Sequence, residues 1–125
     1  VHEAREKNEK QVVVWGSGTP KREFLFNEDL ASACRFLLEN YDSPEIINIG
    51  CGEDVTIREL AELICDVAGF KGELVFDPSK PDGTPRKVLD VSKIKALGWS
   101  PKVSLREGIT RTYRWYLENQ DTVKK

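Results

Sequence analysis

The chain has 125 residues, of which 39% are hydrophobic and 32% are charged, which is typical of one small globular domain rather than two. Its 19 basic and 21 acidic side chains nearly cancel, so no overall field attracts nucleic acid or an anionic membrane. No apolar run approaches the roughly 20 residues that span a bilayer. We therefore expect a cytoplasmic protein whose three cysteines are free thiols, with Cys34 and Cys65 buried as small core residues.

The residue pattern of the first third of the chain predicts a helix, a strand and a second helix, in that order. Residues 1–10 are compatible with a helix, although they hold few apolar side chains, and we expect a partial helix interrupted by the chain boundary. The β-branched run in residues 11–15 predicts a short strand covered on both faces. Apolar residues at helical spacing then predict a helix over residues 27–40, capped by Asn27 or Asp29.

The remainder predicts short strands and further helices. Residues 45–49 and 74–76 have the β-branched and aromatic content of buried strands. Thr56 and Glu59 have the spacing of a capping box at the start of a helix that Gly69 ends. The proline-rich residues 77–86 predict a loop.

Two more helices are predicted, at residues 92–97 and 104–119. We therefore predict an α/β domain of short strands and about three main helices over residues 11–120, followed by a tail at residues 121–125.

Two segments combine basic side chains with glycine-rich turns, the arrangement that phosphate recognition requires. They are residues 15–22 and residues 79–87. Trp15, at a predicted strand end, could stack on a base or a sugar ring. Solvated surface turns have the same composition, and a buried core tryptophan is equally common, so spacing alone leaves both interpretations open.

No complete catalytic or metal site is predicted. The chain has no Walker loop and no GxGxxG after a strand. Its one histidine, His2, is expected to be exposed near the start of the chain, which argues against a zinc site or a histidine base. No tyrosine has a lysine four residues later, and the carboxylates near Thr56 are expected to act as helix caps.

Four motifs, in their order along the chain, resemble those of the GDP-L-fucose synthases. These are NADPH-dependent epimerase-reductases of the extended short-chain dehydrogenase family. The first motif, residues 14–25, contains the first basic segment above, and the third is the second basic segment, residues 79–87. The second joins residues 47–50 to residues 56–61, and the fourth is Leu97-Gly98-Trp99 before Pro101. The first and third are the motifs specific to the synthases.

The resemblance implies a two-domain enzyme that converts GDP-4-dehydro-6-deoxy-D-mannose to GDP-L-fucose. It epimerises C3 and C5 and then reduces the C4 ketone with NADPH. The chain would be the small C-terminal lobe that binds the GDP-sugar. The N-terminal Rossmann half, with NADPH and the catalytic Ser, Tyr and Lys, would lie outside it, so no cofactor is expected here. The parent enzyme would be a homodimer.

The resemblance implies that Trp15, Arg22, Asp82 and Lys87 contact the GDP-sugar. Weaker assignments of the same kind are Ser17, Ser79 and Arg86. The chain departs from the family at residues 26–29, where many relatives have His-Val-Asp-Asp, and at Cys51, where threonine is frequent. Cys51 is accordingly the thiol whose reactivity is of interest.

Two other functions fit the same residues. The second and fourth motifs suit another nucleotide-sugar 4-epimerase or 4,6-dehydratase equally well. A non-enzymatic module that binds nucleotide sugars is the other alternative.

Overall fold

The computed structural model describes residues 1–123, so the last two residues of the predicted tail at 121–125 lie outside the described residues. The described chain is an α/β structure, as predicted. Its helices are α1 His2–Glu6, α2 Asn27–Asn40, α3 Ile57–Ala68, α4 Ser92–Leu97 and α5 Leu105–Glu118. Its strands are β1 Gln11–Trp15, β2 Lys21–Arg22, β3 Val55–Thr56, β4 Glu73–Asp77 and β5 Arg86–Lys87.

The strands form two small sheets. β1 and β4 are parallel, with Gln11 opposite Glu73 at one end and Trp15 opposite Asp77 at the other. The second sheet has the order β3-β2-β5, in which β2 is antiparallel to β3 and parallel to β5. The parallel pairs join segments far apart in the chain, so they determine which loops become neighbours.

The three main helices, α2, α3 and α5, have lengths close to those predicted. At α3, the Glu59 amide donates to the Thr56 side chain and the Glu59 carboxylate accepts from the Thr56 amide, which confirms the predicted capping box. Gly69 ends α3 with φ of 72°, in the left-handed region that favours glycine.

Two small clusters form the core. In one, Ala33, Val91, Ile94 and Trp99 are buried together between α2 and α4. In the other, Ala4, Cys65 and Phe70 are buried beside Val1, Val12 and Leu74. Cys65 is therefore a core residue, as predicted, and α1 buries a side chain despite its polar composition.

The strand predicted at residues 45–49 is wrong. The segment is irregular, although Ile47 and Ile49 pack against the cluster around Trp99 while Ile46 is 89% exposed. The β-branched content was therefore a sign of partial burial, but strand pairing also needs a neighbouring backbone. Asn48 instead donates its side-chain amide to the carbonyl of Asp90.

The predicted cap of α2 and the burial of Cys34 are also wrong. Phe26 occupies the N-cap position without a side-chain hydrogen bond. Asp29 is buried and accepts hydrogen bonds from the Lys102 and Val103 amides, at 3.1 and 2.9 Å. Cys34 is exposed because α2 buries only the narrow stripe around Ala33.

Two expectations for the N-terminal segment are wrong. His2 is half-buried, with its Nδ1 3.0 Å from the Tyr113 hydroxyl and its ring edge against Tyr116. β1 is covered on one face alone: Val12 packs into the core, whereas Val13 is 49% exposed.

We predict that Asp29→Asn destabilises the domain by about 1.5–3 kcal/mol, because the amide cannot replace a carboxylate that accepts two backbone N–H groups. Urea unfolding followed by circular dichroism measures the change. Glu39→Gln, on the exposed face of the same helix, should change stability by less than about 0.5 kcal/mol. Equal midpoints for the two variants would contradict the assigned role of Asp29.

Candidate functional site

The two basic segments start at the same edge of the β1–β4 sheet. Trp15 is the last residue of β1 and Asp77 the last of β4, and the two are register partners. Residues 16–22 and 78–87 follow directly from these strand ends. Ligands of open α/β sheets bind outside the carboxyl ends of parallel strands, which makes this edge the candidate site.

A hydrogen-bonded clasp joins the two segments. The Ser17 amide donates to Oδ1 of Asp82 at 2.9 Å, and the Ser17 hydroxyl donates to Oδ2 at 2.7 Å. Gly16, with φ of 90°, has no room for a side chain, since a Cβ would lie 2.4 Å from Oδ1 of Asp82. The hydrogen bonds from Ser17 hold the pKa of Asp82 below its usual value.

Trp15 is a surface residue at this edge. Its side chain is 74% exposed, so the interpretation of Trp15 as a core residue is wrong. Lys80 lies over the indole, with Nζ 5.5 Å from the ring centroid. The structure therefore leaves an aromatic plane available for stacking where the carboxyl ends of β1 and β4 meet.

The β2–β5 pairing places four cations together in two pairs. Lys21 is the register partner of Arg86, and Arg22 is the partner of Lys87. Partners in a parallel ladder lie on the same face. Arg86 donates to Asp54 and thereby lowers the pKa of that carboxyl.

The charges of the other pair, Arg22 and Lys87, are not neutralised by a carboxylate of the described residues. Among residues 1–123, neither Arg22 nor Lys87 has a carboxylate within 4.0 Å. Lys21 also has no carboxylate within this distance in the same range, so Arg86 is the paired cation of the small sheet and Lys21, Arg22 and Lys87 remain available to an anion.

Arg22 extends from the edge into a neighbouring cavity of about 400 Å³. Nη1 donates to the carbonyl of Lys21 at 2.6 Å, and a Cβ at Gly83 would lie 2.9 Å from Nη2. The cavity has both apolar and polar side chains on its walls, and the polar ones include Cys51, Glu53, Asp54, Lys95, Lys102 and Ser104. Arg22 thus links this cavity to the loop that holds Asp82.

Comparisons with known sequences support the family resemblance of the four motifs over nearly the whole chain. The profile of the NAD dependent epimerase/dehydratase family matches residues 1–50. Over 118 residues the chain is 59% identical to a putative GDP-L-fucose synthase 2 of Arabidopsis thaliana, and over 129 aligned positions it is 52% identical to the GDP-L-fucose synthase of Escherichia coli K12. The chain is homologous to the GDP-L-fucose synthases. These matches cover 94% and 96% of the chain but 36% and 40% of the relatives, so the chain spans about two fifths of their length.

Solved structures agree with this homology. A GDP-L-fucose synthetase from Naegleria fowleri superposes with a TM-score of 0.91 at 33% identity, over 99% of the chain and 39% of that protein. A UDP-glucose 4-epimerase from Thermotoga maritima superposes with a TM-score of 0.81 at 30% identity, over 95% of the chain and 38% of that protein. The fold is the C-terminal lobe of the extended short-chain dehydrogenases, as the sequence predicted.

The weaker candidates in this fucose synthase homologue all have internal partners. Ser17 belongs to the clasp with Asp82, and Arg86 pairs with Asp54. Ser79 donates its amide and its hydroxyl to Oδ1 of Asp77, at 3.0 and 2.6 Å. These contacts give all three residues a positioning role for the loops at the edge.

Glu23 is a site residue that the sequence analysis missed. It accepts hydrogen bonds from the amides of Gly52 at 2.7 Å and Leu89 at 2.8 Å. Burial raises the pKa of Glu23, but the backbone N–H groups more than offset this, so the pKa lies below its usual value. The position of Glu23 next to Arg22 in a synthase-specific motif was a signal that the sequence offered. Its hydrogen-bond partners, Gly52 and Leu89, could not be predicted because they are distant in sequence.

Cys51 faces the interior of its loop and is not an activated thiol. Its Sγ donates to the carbonyl of Glu53 at 3.3 Å. Burial raises the pKa of Cys51, an effect strengthened by the nearby Glu23 carboxylate. The thiolate, which is the nucleophilic form, is therefore disfavoured near neutral pH.

The structure shows neither a metal cluster nor a membrane span in the part of the chain that it describes. No group of three or more His, Cys, Asp or Glu side chains among residues 1–123 could hold a metal ion. No helix in the same range is long and apolar enough to cross a membrane.

We predict that the Ser17 amide resonance reports the ionisation of Asp82. The clasp should be complete above the unfolded-chain pKa of about 3.9 and lost as the pH falls through the lower value of the folded state. NMR titration of the Ser17 amide in acid measures this. Asp82→Asn should abolish the transition, and Asp42→Asn, at an exposed position, should preserve it. A Ser17 midpoint at or above the unfolded value would contradict the clasp.

Proposed function

We propose that residues 11–120 are the substrate-binding domain of a cytoplasmic GDP-L-fucose synthase. The complete enzyme converts GDP-4-dehydro-6-deoxy-D-mannose to GDP-L-fucose by epimerisation at C3 and C5 and reduction of the C4 ketone with NADPH. The observation that carries this proposal is the joining of the two synthase-specific segments by the clasp between Ser17 and Asp82. The GDP-L-fucose synthases among the relatives support it.

In this proposal Trp15, Arg22, Lys87 and Asp82 fulfil three different roles. Trp15 forms an aromatic wall, and Arg22 and Lys87 supply charge to the diphosphate. Asp82 holds the turn after β1, and each of its oxygens keeps a lone pair for a ligand hydroxyl or N–H group. The internally paired Arg86 and Asp54 support the opposite face of the small sheet.

We place NADPH and the catalytic Ser, Tyr and Lys in an N-terminal Rossmann half, where bound NADPH would supply the hydride. The described residues do not fit a dinucleotide: the turn after β1 leads into β2, whereas a Rossmann turn leads into a helix that receives the pyrophosphate. A Campylobacter jejuni GDP-mannoheptose C4 reductase that is 37% identical over 93% of the chain has NADP bound. The chain alone is therefore expected to be inactive.

The Rossmann half would also be a packing partner, in a parent enzyme that we propose to be a homodimer. An apolar groove of about 470 Å³ lies between α3 and α5, next to His2 of α1. Its walls include Leu60, Ile64, Val67, Ile109 and Tyr116. Exposed apolar surface of this kind is typical of a face that packs against another part of a protein. The relatives are more than twice as long as the chain, so they contain residues that could form that part.

We predict that GDP-mannose binds the isolated chain at the candidate edge. NMR titration should shift the amides of residues 15–22 and 82–87, and UDP-glucose should shift them less. Arg22→Ala and Lys87→Ala should each weaken binding by about tenfold, since each removes one charge-assisted contact.

Lys71→Ala is the matched control, because Lys71 is exposed near the opposite, amino ends of β1 and β4. It should bind like the unchanged chain. Shifts confined to other surfaces, or equal losses in all three variants, would contradict the proposed site.

The same titration separates the synthase from a uridine-specific rival, such as a UDP-glucose 4-epimerase like the Thermotoga protein. A stronger response to UDP-glucose than to GDP-mannose would favour a uridine-specific enzyme. A parent gene that encodes no Rossmann half would favour a binding module.

We also predict that the isolated chain self-associates weakly through the α3–α5 groove and that Ile64→Glu reduces this, because a carboxylate there opposes burial of the groove. Sedimentation velocity over a concentration series measures the effect, and circular dichroism checks the fold. Leu38→Glu is the control, since Leu38 is 88% exposed and lies outside the groove. Association that Ile64→Glu leaves unchanged would assign it to another surface.

A further inference from the structure

The loop after β4 places a lysine over the exposed indole of Trp15. Nζ of Lys80 lies 5.5 Å from the centroid of the ring, within the range of a cation–π contact. Lys80 is exposed, and none of the assignments above gives it a role. The aromatic plane and the cation form one feature of the surface, which we name the Trp15–Lys80 platform.

Backbone contacts hold the platform at the end of β4. The carbonyl of Asp77, the register partner of Trp15, accepts from the amide of Gly16 at 2.9 Å and from the amide of Lys80 at 3.2 Å. Oδ1 of Asp77 accepts from Ser79, which closes the turn. One residue thus fixes both the turn after Trp15 and the turn that carries Lys80.

The charge of Lys80 is not neutralised within the protein. No carboxylate among residues 1–123 lies within 4.0 Å of its ammonium group. The nearby Asp82 is bonded through both oxygens to Ser17. A cation–π contact with a ring face does not neutralise the charge of a lysine. Its flexible four-carbon side chain lets the ammonium group move from the ring to an anion.

We propose that Lys80 binds a phosphate of the nucleotide whose base stacks on Trp15. A flat base attached to a diphosphate matches an aromatic plane beside a free cation, which identifies the ligand as a nucleoside diphosphate. Lys80 then exchanges the indole face for a phosphate oxygen. This inference rests on the proposed nucleotide-sugar function and adds a specificity residue for the nucleotide part of the substrate.

The test compares guanosine with GDP, because the two differ only in the diphosphate. Isothermal titration calorimetry measures affinity, and the indole N–H resonance of Trp15 reports stacking. Lys80→Ala should weaken GDP binding about five- to tenfold, with a smaller loss at high salt, and should not weaken guanosine binding. Lys80→Arg should restore most of the GDP affinity. Trp15→Ala should weaken both ligands, and Lys71→Ala should change neither.

Each other outcome has a definite meaning. If the unchanged chain binds GDP and Lys80→Ala binds it equally well, the role of Lys80 is wrong while the proposed function stands. If Lys80→Ala weakens guanosine and GDP by the same factor, Lys80 only orients Trp15 and the phosphate contact is wrong. If the unchanged chain binds neither ligand, both the nucleotide function of the isolated lobe and this inference fail. Amide spectra of every variant confirm folding.

Discussion

The parallel pairing of β1 with β4 is the constraint on which the candidate site depends. Parallel strands end at the same edge, so the pairing of Trp15 with Asp77 brings two distant turns together. The clasp between Ser17 and Asp82 then fixes the separation of those turns. A change in the register of this pair by one residue would turn Trp15 to the opposite face and separate the clasp.

The charges around this edge fall into two groups with different tasks. Arg86 is bonded to Asp54, and the carboxylate of Asp82 is bonded to Ser17, so these groups hold the loops in place. Arg22, Lys87 and Lys80 have no carboxylate partner within 4.0 Å in the described range and remain available to an anion. This division explains how a chain with nearly balanced charge presents a local group of free cations, the candidate site for an anion.

The core of the described residues is small and divided. Its buried side chains form two small clusters, one near Trp99 and one near Phe70, and Ile94 is the largest fully buried side chain among the described residues. The groove between α3 and α5 leaves further apolar surface uncovered. Small domains bury a smaller share of their surface than large ones. A partner that covered this groove would therefore stabilise the domain.

The sequence by itself determined the elements whose signals are local. The capping box of Thr56 and Glu59, the glycine stop at Gly69 and the helical periodicities predicted the main helices, because these depend on residues within one or two turns. The motifs also predicted the homology and indicated the two segments that form the candidate site.

The tertiary structure alone decided what depends on contacts between distant residues. It paired Asp82 with Ser17, buried Asp29, partly buried His2, placed Lys80 over Trp15 and left residues 45–49 without a strand partner. The physical reason is that a local pattern specifies which face of a segment is apolar, whereas burial and pairing require a second segment that the pattern does not identify.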